Sequence, residues 1–245
     1  MADSFVSTMP AAGADRSAKP PMPVFDWVLA ASAVMLVAFL ARAMWFTPPE
    51  ALQGEAQKIF YIHVSSAVVG LYFACPLVAI GSALYLWLRD ERLDRLADSA
   101  AELALVFISI MLVSGPLWAK PIWGTWWTWD ARLTSTLFLW FILLSYSVLR
   151  GAIEDRQQRA RYSAVLGILA SLLVPFIHLS VRLFRTMHPQ PIVLAPERPK
   201  MSVEMGVTLA MAFVAFTLLF VALLRARLRY AALRDRVESL EAGDA

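Results

Sequence analysis

The chain has 245 residues, of which 59% are hydrophobic and 17% are charged, and its formal net charge at pH 7 is +3. This composition, with a mean hydropathy of +0.61, leaves too little polar surface for a water-soluble globule of this length, so a bilayer must supply an apolar solvent. The small excess of basic residues is explained by membrane topology, and it does not indicate a partner nucleic acid.

Six hydrophobic windows follow one another along the chain, most of them close to the length of about 20 residues that spans a bilayer. They are continuously apolar rather than alternating, which favours helices over a β-barrel because lipid requires each segment to satisfy its own backbone hydrogen bonds. The predicted fold class is an all-α integral membrane protein with six transmembrane helices, an outward-facing tryptophan-rich interfacial segment and no soluble domain. The fourth window is short and could borrow residues from the segment before it. The windows are 27–45, 60–88, 101–118, 135–149, 162–181 and 203–224.

Basic residues are distributed unevenly between the two sides of these spans. Fourteen of the 22 lysines and arginines lie on the side that includes both termini, and eight lie on the other. Because cytoplasmic loops carry the excess of basic residues, both termini are predicted to be cytoplasmic. We expect a disordered N-terminal segment (1–25), a six-helix membrane domain (26–225) and a cytoplasmic tail (226–245). The first of these lacks the apolar stretch of a cleavable signal peptide.

The connection between the third and fourth windows concentrates aromatic and charged residues. Four of the nine tryptophans fall within seven positions there. Trp123, Trp126, Trp127 and Asp130 are spaced i, i+3, i+4 and i+7, which predicts a helix lying flat at the membrane surface with three indoles and a carboxylate on one face. Such a platform could stack a large flat aromatic ligand while Arg132 meets its carboxylates. The alternative is an ordinary aromatic belt at headgroup depth, but so many neighbouring indoles favour the platform.

Histidines provide the second part of the prediction. His63 begins the second window and His178 ends the fifth, so both are expected at the outer membrane edge, on the side of the tryptophans. Two neutral imidazoles at one depth could hold an iron centre axially while its macrocycle rests on the indoles. A zinc site is disfavoured because it usually needs three or four protein ligands. His188 lies in a proline-rich loop, and we expect it to be exposed and not to be a ligand.

Several chemistries are excluded by missing motifs. Cys75 is the only cysteine, so disulfide exchange by this chain alone and covalent haem attachment through C-x-x-C-H are excluded. We expect this buried thiol to be a small packing residue beside Pro76. The sequence has no G-x-x-x-x-G-K-[ST] motif, and the chain therefore lacks an ATPase site of this type.

A six-span chain with the order His63, tryptophan segment, His178 resembles the CcmC family, the haem-handling proteins of bacterial cytochrome c maturation. These proteins belong to the wider group that shares the tryptophan-rich WWD signature. The matching stretches are residues 58–64, 123–135 and 178–182.

The resemblance implies that His63 and His178 are the axial ligands of haem b, iron protoporphyrin IX. It also implies that the tryptophan segment forms the outer haem platform, and we assign the propionates to Arg132 and Arg182. The full set of residues expected to contact haem besides the histidines is Trp118, Trp123, Trp126, Trp127, Trp129, Asp130, Arg132 and Arg182.

The resemblance further implies a function and partners. The expected protein lies in the bacterial inner membrane, binds haem on the periplasmic side and presents it to the chaperone CcmE for covalent attachment. The ABC transporter subunits CcmA and CcmB and the small subunit CcmD are the other expected partners. The chain would then be a delivery component rather than an enzyme. Two alternatives stay open, a b-type cytochrome for electron transfer and the permease subunit of an ABC exporter.

Overall fold

The computed structural model describes residues 26–188 and 201–243, and the regular structure in these ranges is helical. Six helical segments there are long and apolar enough to cross a membrane. The predicted all-α, six-span architecture is therefore confirmed, while the predicted N-terminal segment (1–25) lies outside the described residues. The α-helices are α1 (Trp27–Ala41), α2 (Ile59–Val68), α3 (Cys75–Leu88), α4 (Glu91–Trp123), α5 (Ala131–Ala152), α6 (Arg156–Leu183) and α7 (Val203–Gly243).

Two π-helical turns interrupt the regular helices. One, Arg42–Phe46, extends α1, and the other, Val69–Ala74, joins α2 and α3 into a single span. The second turn ends immediately before Cys75 and Pro76. Since proline has no backbone N–H and its ring crowds the preceding turn, a local change of helical pitch is expected there. Cys75 is fully buried, as expected for a packing residue.

Small residues set the distances between the helices. A β-carbon added at Gly70 would lie 2.9 Å from Ile108 Cγ1 of α4, and one added at Gly167 would lie 2.8 Å from Val78 Cγ1 of α3. Association of helices in lipid depends on such close van der Waals packing, because lipid tails are as apolar as the side chains. These two glycines therefore bring α4 and α6 against the α2–α3 span.

The bundle has two ends that differ in composition. At the tryptophan end α4 finishes at Trp123 and α5 begins at Ala131. At the arginine end α3 finishes at Leu88 and α4 begins at Glu91, close to the start of α6 and to the later part of α7. Alternate crossings of the bundle by successive spans therefore separate the predicted haem residues from most of the arginines.

Ion pairs hold the helices together at the arginine end. Arg150 of α5 forms a bidentate pair with Asp94 of α4, at 2.7 and 2.9 Å, and its Nε lies 2.8 Å from Asp98 Oδ1. Arg95 of α4 binds Asp235 of α7 at 2.9 Å. The last helix thus continues through the segment predicted as a tail and packs there against the bundle.

Candidate functional site

The tryptophan segment is a loop rather than a helix. α4 ends at Gly124, whose φ of 74° is left-handed and whose N–H donates to Lys120 O at 3.0 Å. Asp130 then caps α5 by accepting hydrogen bonds from the backbone N–H groups of Arg132 and Leu133, both at 3.0 Å. The predicted helix through Trp123 and Asp130 is therefore wrong. The left-handed glycine that ends α4 and the aspartate that caps α5, six positions apart in the chain, outweigh the helical spacing of the indoles.

The fourth span does not include the tryptophans either. It begins at Ala131 and ends at Ala152, so it extends the predicted window by four residues at the tryptophan end and by three at the other. The seven residues between α4 and α5 are thereby free to follow a path that helix geometry would forbid. They line one side of a cavity at the tryptophan end.

This cavity has a volume of about 370 Å³, within the usual range of roughly 300–1,000 Å³ for small-molecule sites. Its walls come from the start of α2, the end of α4, the tryptophan loop, the start of α5 and the residues that flank 189–200. Most lining side chains are apolar or aromatic, and a few convergent polar groups stand among them. Four of the predicted tryptophans are among the lining residues, namely Trp118, Trp123, Trp126 and Trp127.

Trp129 differs from these four. Its side chain is 77% exposed, and it packs edge to face against Trp127 with ring centroids 5.8 Å apart. It is not among the residues that line the cavity. Trp129 therefore supports the platform from outside and extends an aromatic surface away from it.

His63 lies in the wall of the cavity, and its ring is held from behind. Nδ1 lies 3.1 Å from Met111 O and 3.1 Å from Ser114 Oγ of α4. A carbonyl oxygen can only accept, so Nδ1 carries the proton and the lone pair is on Nε2. This is the arrangement that metal-binding histidines usually have, with one nitrogen oriented by a carbonyl and the other available.

Gly115 makes room for that ring. A β-carbon at this position would lie 3.1 Å from His63 Cε1, tighter than an ordinary van der Waals contact. Trp118 stands one turn further along α4, with its ring centroid 5.8 Å from that of His63. The imidazole is therefore enclosed between α4 and the aromatic wall, and its position is determined by packing as well as by hydrogen bonds.

The other two histidines are placed contrary to expectation. His178 is not among the residues lining the cavity, and its Nδ1 lies 2.8 Å from the hydroxyl of Tyr72. His188, predicted to be exposed, is half-buried and lines the cavity together with His63. The structure therefore joins His63 with His188 in one wall, and it places His178 outside that wall.

A hydrogen-bonded chain explains the position of His188. Its backbone N–H donates to Thr186 Oγ1 at 3.0 Å, and Thr186 Oγ1 donates in turn to Asp130 Oδ2 at 2.8 Å. The segment after α6 is thus fastened to the tryptophan loop. A sequence signal did exist, because His188 follows the end of α6 by only five residues, on the side of the tryptophans. The prolines that follow His188 predict a loop, but they do not predict the hydrogen bonds that hold its start against the tryptophan loop.

Of the charged residues predicted to contact the ligand, one lines the cavity and two do not. Arg132 lines the cavity, and within residues 26–188 and 201–243 its buried Nη1 has no hydrogen-bond partner. The same is true of Trp127 Nε1. Asp130 is committed to the cap of α5 and to Thr186, and Arg182 is exposed and outside the cavity lining. Two buried donors without acceptors at one cavity indicate an acceptor that a ligand would bring.

The fold and the cavity define a class, a multi-pass helical membrane protein with an aromatic-lined cavity at one end of its bundle. The sequence model described as Heme exporter protein C, CcmC, matches residues 9–242. The chain belongs to this family.

Individual relatives support the assignment. The chain is 35% identical to the Heme exporter protein C of Bradyrhizobium diazoefficiens over 218 residues, which are 89% of this chain and 82% of the relative. It is 31% identical to that of Rhodobacter capsulatus, with 89% and 90% covered. A putative cytochrome c biosynthesis ccmC-like mitochondrial protein of Marchantia polymorpha is 32% identical, with 78% of each chain covered.

Proposed function

We propose that the cavity at the tryptophan end binds haem b as cargo during cytochrome c maturation and presents it to CcmE for covalent attachment. The observation that carries the proposal is the meeting of two histidines, an arginine with an unpaired N–H and four tryptophans in one cavity. The names of the relatives, Heme exporter protein C, support haem as the ligand. When bound, haem would supply the iron that the histidines ligate and carboxylates that accept hydrogen bonds from Arg132 and Trp127.

His63 is one proposed iron ligand. Its protonated Nδ1 is used by Met111 O, so Nε2 is left for a metal, and Gly115 lets the ring stay close to α4. Imidazole held from behind in this way binds iron with little loss of conformational freedom.

The second ligand is proposed to be His188 rather than His178. His188 lines the same cavity as His63, whereas His178 is not among the residues that line it. The assignment made from sequence order therefore becomes the alternative. The two assignments differ in which single variant loses axial ligation, and this can be measured.

The propionates are proposed to meet Arg132 and Trp127. A guanidinium pairs with a carboxylate by charge-assisted hydrogen bonds, and the indole N–H adds a neutral donor beside it. Arg182 was expected to share this role, but its exposed position leaves it only the rim of the site. The indoles would flank the macrocycle, and the exposed Trp129 would face the chaperone.

The orientation and assembly remain proposals of the same kind. The concentration of basic residues at the arginine end supports a cytoplasmic position for that end and for both termini. The cavity then opens at the periplasmic face of the inner membrane, where CcmE would accept haem. CcmA, CcmB and CcmD are the proposed further subunits, and they would supply the ATPase that this chain lacks.

The test is absorption spectroscopy of the purified protein in detergent, after loading with haem. We expect His63→Ala and His188→Ala each to shift or abolish the Soret band, and His178→Ala to leave its position unchanged. A shift with His178→Ala and none with His188→Ala would restore the assignment made from sequence. An unchanged band in all three variants would refute a histidine-ligated site at this cavity.

Transfer is tested separately from binding. Haem-loaded protein is mixed with apo-CcmE, and the haem that comes to the chaperone is measured after separation. We expect wild type to lose its haem to CcmE. Haem that stays bound while it is reversibly reduced and oxidised would instead indicate the b-type cytochrome.

A further inference from the structure

A second cavity, of about 160 Å³, lies at the arginine end. It is bounded by the end of α3, the starts of α4 and α6, the end of α5 and the later part of α7. Its volume is below the range of ordinary small-molecule sites, so it suits a compact group rather than a macrocycle. Its lining holds six arginines and only three acidic residues, and this excess of positive charge favours an anion.

Most of that charge is already used within the protein. Arg150 is paired with Asp94 and Asp98, while Arg95 and Arg156 both bind Asp235, at 2.9 and 2.7 Å. These contacts fix the walls of the cavity and leave it little freedom to collapse. The carboxylate of Asp235 is thus already paired with two guanidiniums.

Two of the lining arginines, Arg89 and Arg159, form no ion pair within the described part of the chain. Arg89 reaches the cavity beside Tyr85, with its guanidinium carbon 5.9 Å from the centre of the tyrosine ring. Arg159 approaches from the first turn of α6. The two unpaired guanidiniums thus belong to different helices and border the same small cavity.

The backbone at Arg89 strengthens this inference. Arg89 adopts a left-handed conformation with φ 58° and ends α3 through a 2.8 Å hydrogen bond from its N–H to Tyr85 O. Glycine would adopt this conformation at the least cost, and a β-branched or long side chain is uncommon there. An arginine at this position is therefore unfavourable for the fold alone, and a binding role of its side chain would explain its presence.

The depth of the cavity identifies the source of the anion. Trp87, two residues before Arg89, is 80% exposed on the outer face of the bundle, and exposed tryptophans of membrane proteins concentrate at the level of the lipid headgroups. Basic pockets between transmembrane helices at that level bind phosphate groups of anionic lipids. We propose that Arg89 and Arg159 bind the phosphate of an anionic phospholipid headgroup at the arginine end.

The experiment measures lipid binding to the purified, delipidated full chain in a neutral detergent. Dihexanoyl phosphatidylglycerol, dihexanoyl phosphatidylcholine and inorganic phosphate are titrated separately, with binding followed by native mass spectrometry and by the thermal unfolding midpoint. We expect the anionic lipid to bind and to raise the midpoint more than the other two probes do.

Variants then locate the site. Arg89→Gly relieves the left-handed arginine, so the unfolding midpoint without lipid should be unchanged or higher. We expect Arg89→Gly and Arg159→Gln each to weaken binding of the anionic lipid about fivefold, the effect of roughly one removed interfacial arginine. Arg161→Gln is the matched control, because Arg161 is exposed on the same turn of α6 and outside the cavity. Its binding should equal that of wild type.

Three results would overturn the proposal. Equal binding of both lipids would show that the protein does not distinguish the headgroup charge. The two arginines would then be assigned to carboxylates of a partner protein. Equal weakening by Arg161→Gln would replace the site with diffuse attraction. Inorganic phosphate binding as strongly as the lipid, at the same two arginines, would assign the site to a free anion. None of these measurements depends on haem.

Discussion

Two arginines, one at each end of the bundle, differ in whether their donors have partners. Arg150, at the arginine end, has three hydrogen-bonded contacts with two carboxylates of α4. Arg132, at the tryptophan end, has a buried Nη1 without a partner in the described residues. The first arrangement stabilises the fold because each charge is compensated internally. The second leaves a buried N–H donor without an acceptor. A binding site has such a donor where a structural contact would already have paired it.

The largest effect is expected from Arg150→Leu. This change removes the partner of two acidic side chains that are 14% and 13% exposed, and an uncompensated buried charge destabilises by about 3–5 kcal/mol. Thermal or denaturant unfolding in detergent measures the loss, and the Soret band of surviving folded protein should not move. Arg161→Leu is the control with little effect. A stable Arg150→Leu protein would show that the ion pairs do not hold this end together.

Arg132→Leu should give the reverse result. Because its Nη1 has no partner to lose, the unfolding midpoint should be unchanged or higher. Haem should be retained less well, by roughly 1.5–3 kcal/mol for a lost charge-assisted hydrogen bond. Haem titration of both variants gives the comparison directly. Unaltered haem affinity in Arg132→Leu would remove this arginine from the site and weaken the contrast between the two ends.

Gly115→Ala tests the space beside His63. The added β-carbon would lie 3.1 Å from His63 Cε1, so the ring must shift, at a cost of roughly 1–3 kcal/mol for overpacking. We expect an altered Soret band and weaker haem binding. Gly151→Ala is the control, because a β-carbon there meets nothing within 4 Å. Identical spectra for the two variants would mean that Gly115 is not needed to position the imidazole.

Among the changes expected to destabilise the fold, the smallest effect comes from the helix caps, one at each end. Asp130 caps α5 and Asp155 caps α6, the latter by accepting from Gln158 N at 2.6 Å. Replacing either by alanine should destabilise by about 1 kcal/mol. Only Asp130→Ala should also reduce haem retention, since it releases Thr186. Equal haem binding in the two variants would show that the Asp130 cap does not contribute to the haem site.

The six spans could be predicted because continuous apolar windows leave few alternatives in a bilayer. Their ends could not. α4 begins ten residues before its window, since Asp94 and Asp98 lie inside the helix and are compensated by Arg150 of α5. That compensation depends on tertiary contact, which hydropathy along one helix does not contain. The tail was assigned on the same charge criterion, although Asp235 binds Arg95 and Arg156.

The components of the site could be predicted from the sequence, but the helix predicted through the tryptophans was wrong. His63, Arg132 and the four lining tryptophans were named from sequence, and they share one cavity. The helix assigned to the tryptophans neglected the left-handed glycine at 124 and the cap at Asp130. The proposed preference for His188 over His178 rests on the cavity lining and on the hydrogen bond between Thr186 and Asp130, 56 positions apart. Periodicity within a helix carries no information about such a contact.

The hydrogen bonds of Asp130 restrict the movement of two loops. Its two carboxylate oxygens accept from the first turn of α5, from Thr128 of the tryptophan loop and from Thr186 after α6. Neither loop can swing outward without giving up a hydrogen bond to the same side chain. This one side chain therefore couples the tryptophan loop and the segment after α6 to the start of α5, and displacing either loop costs a hydrogen bond to it.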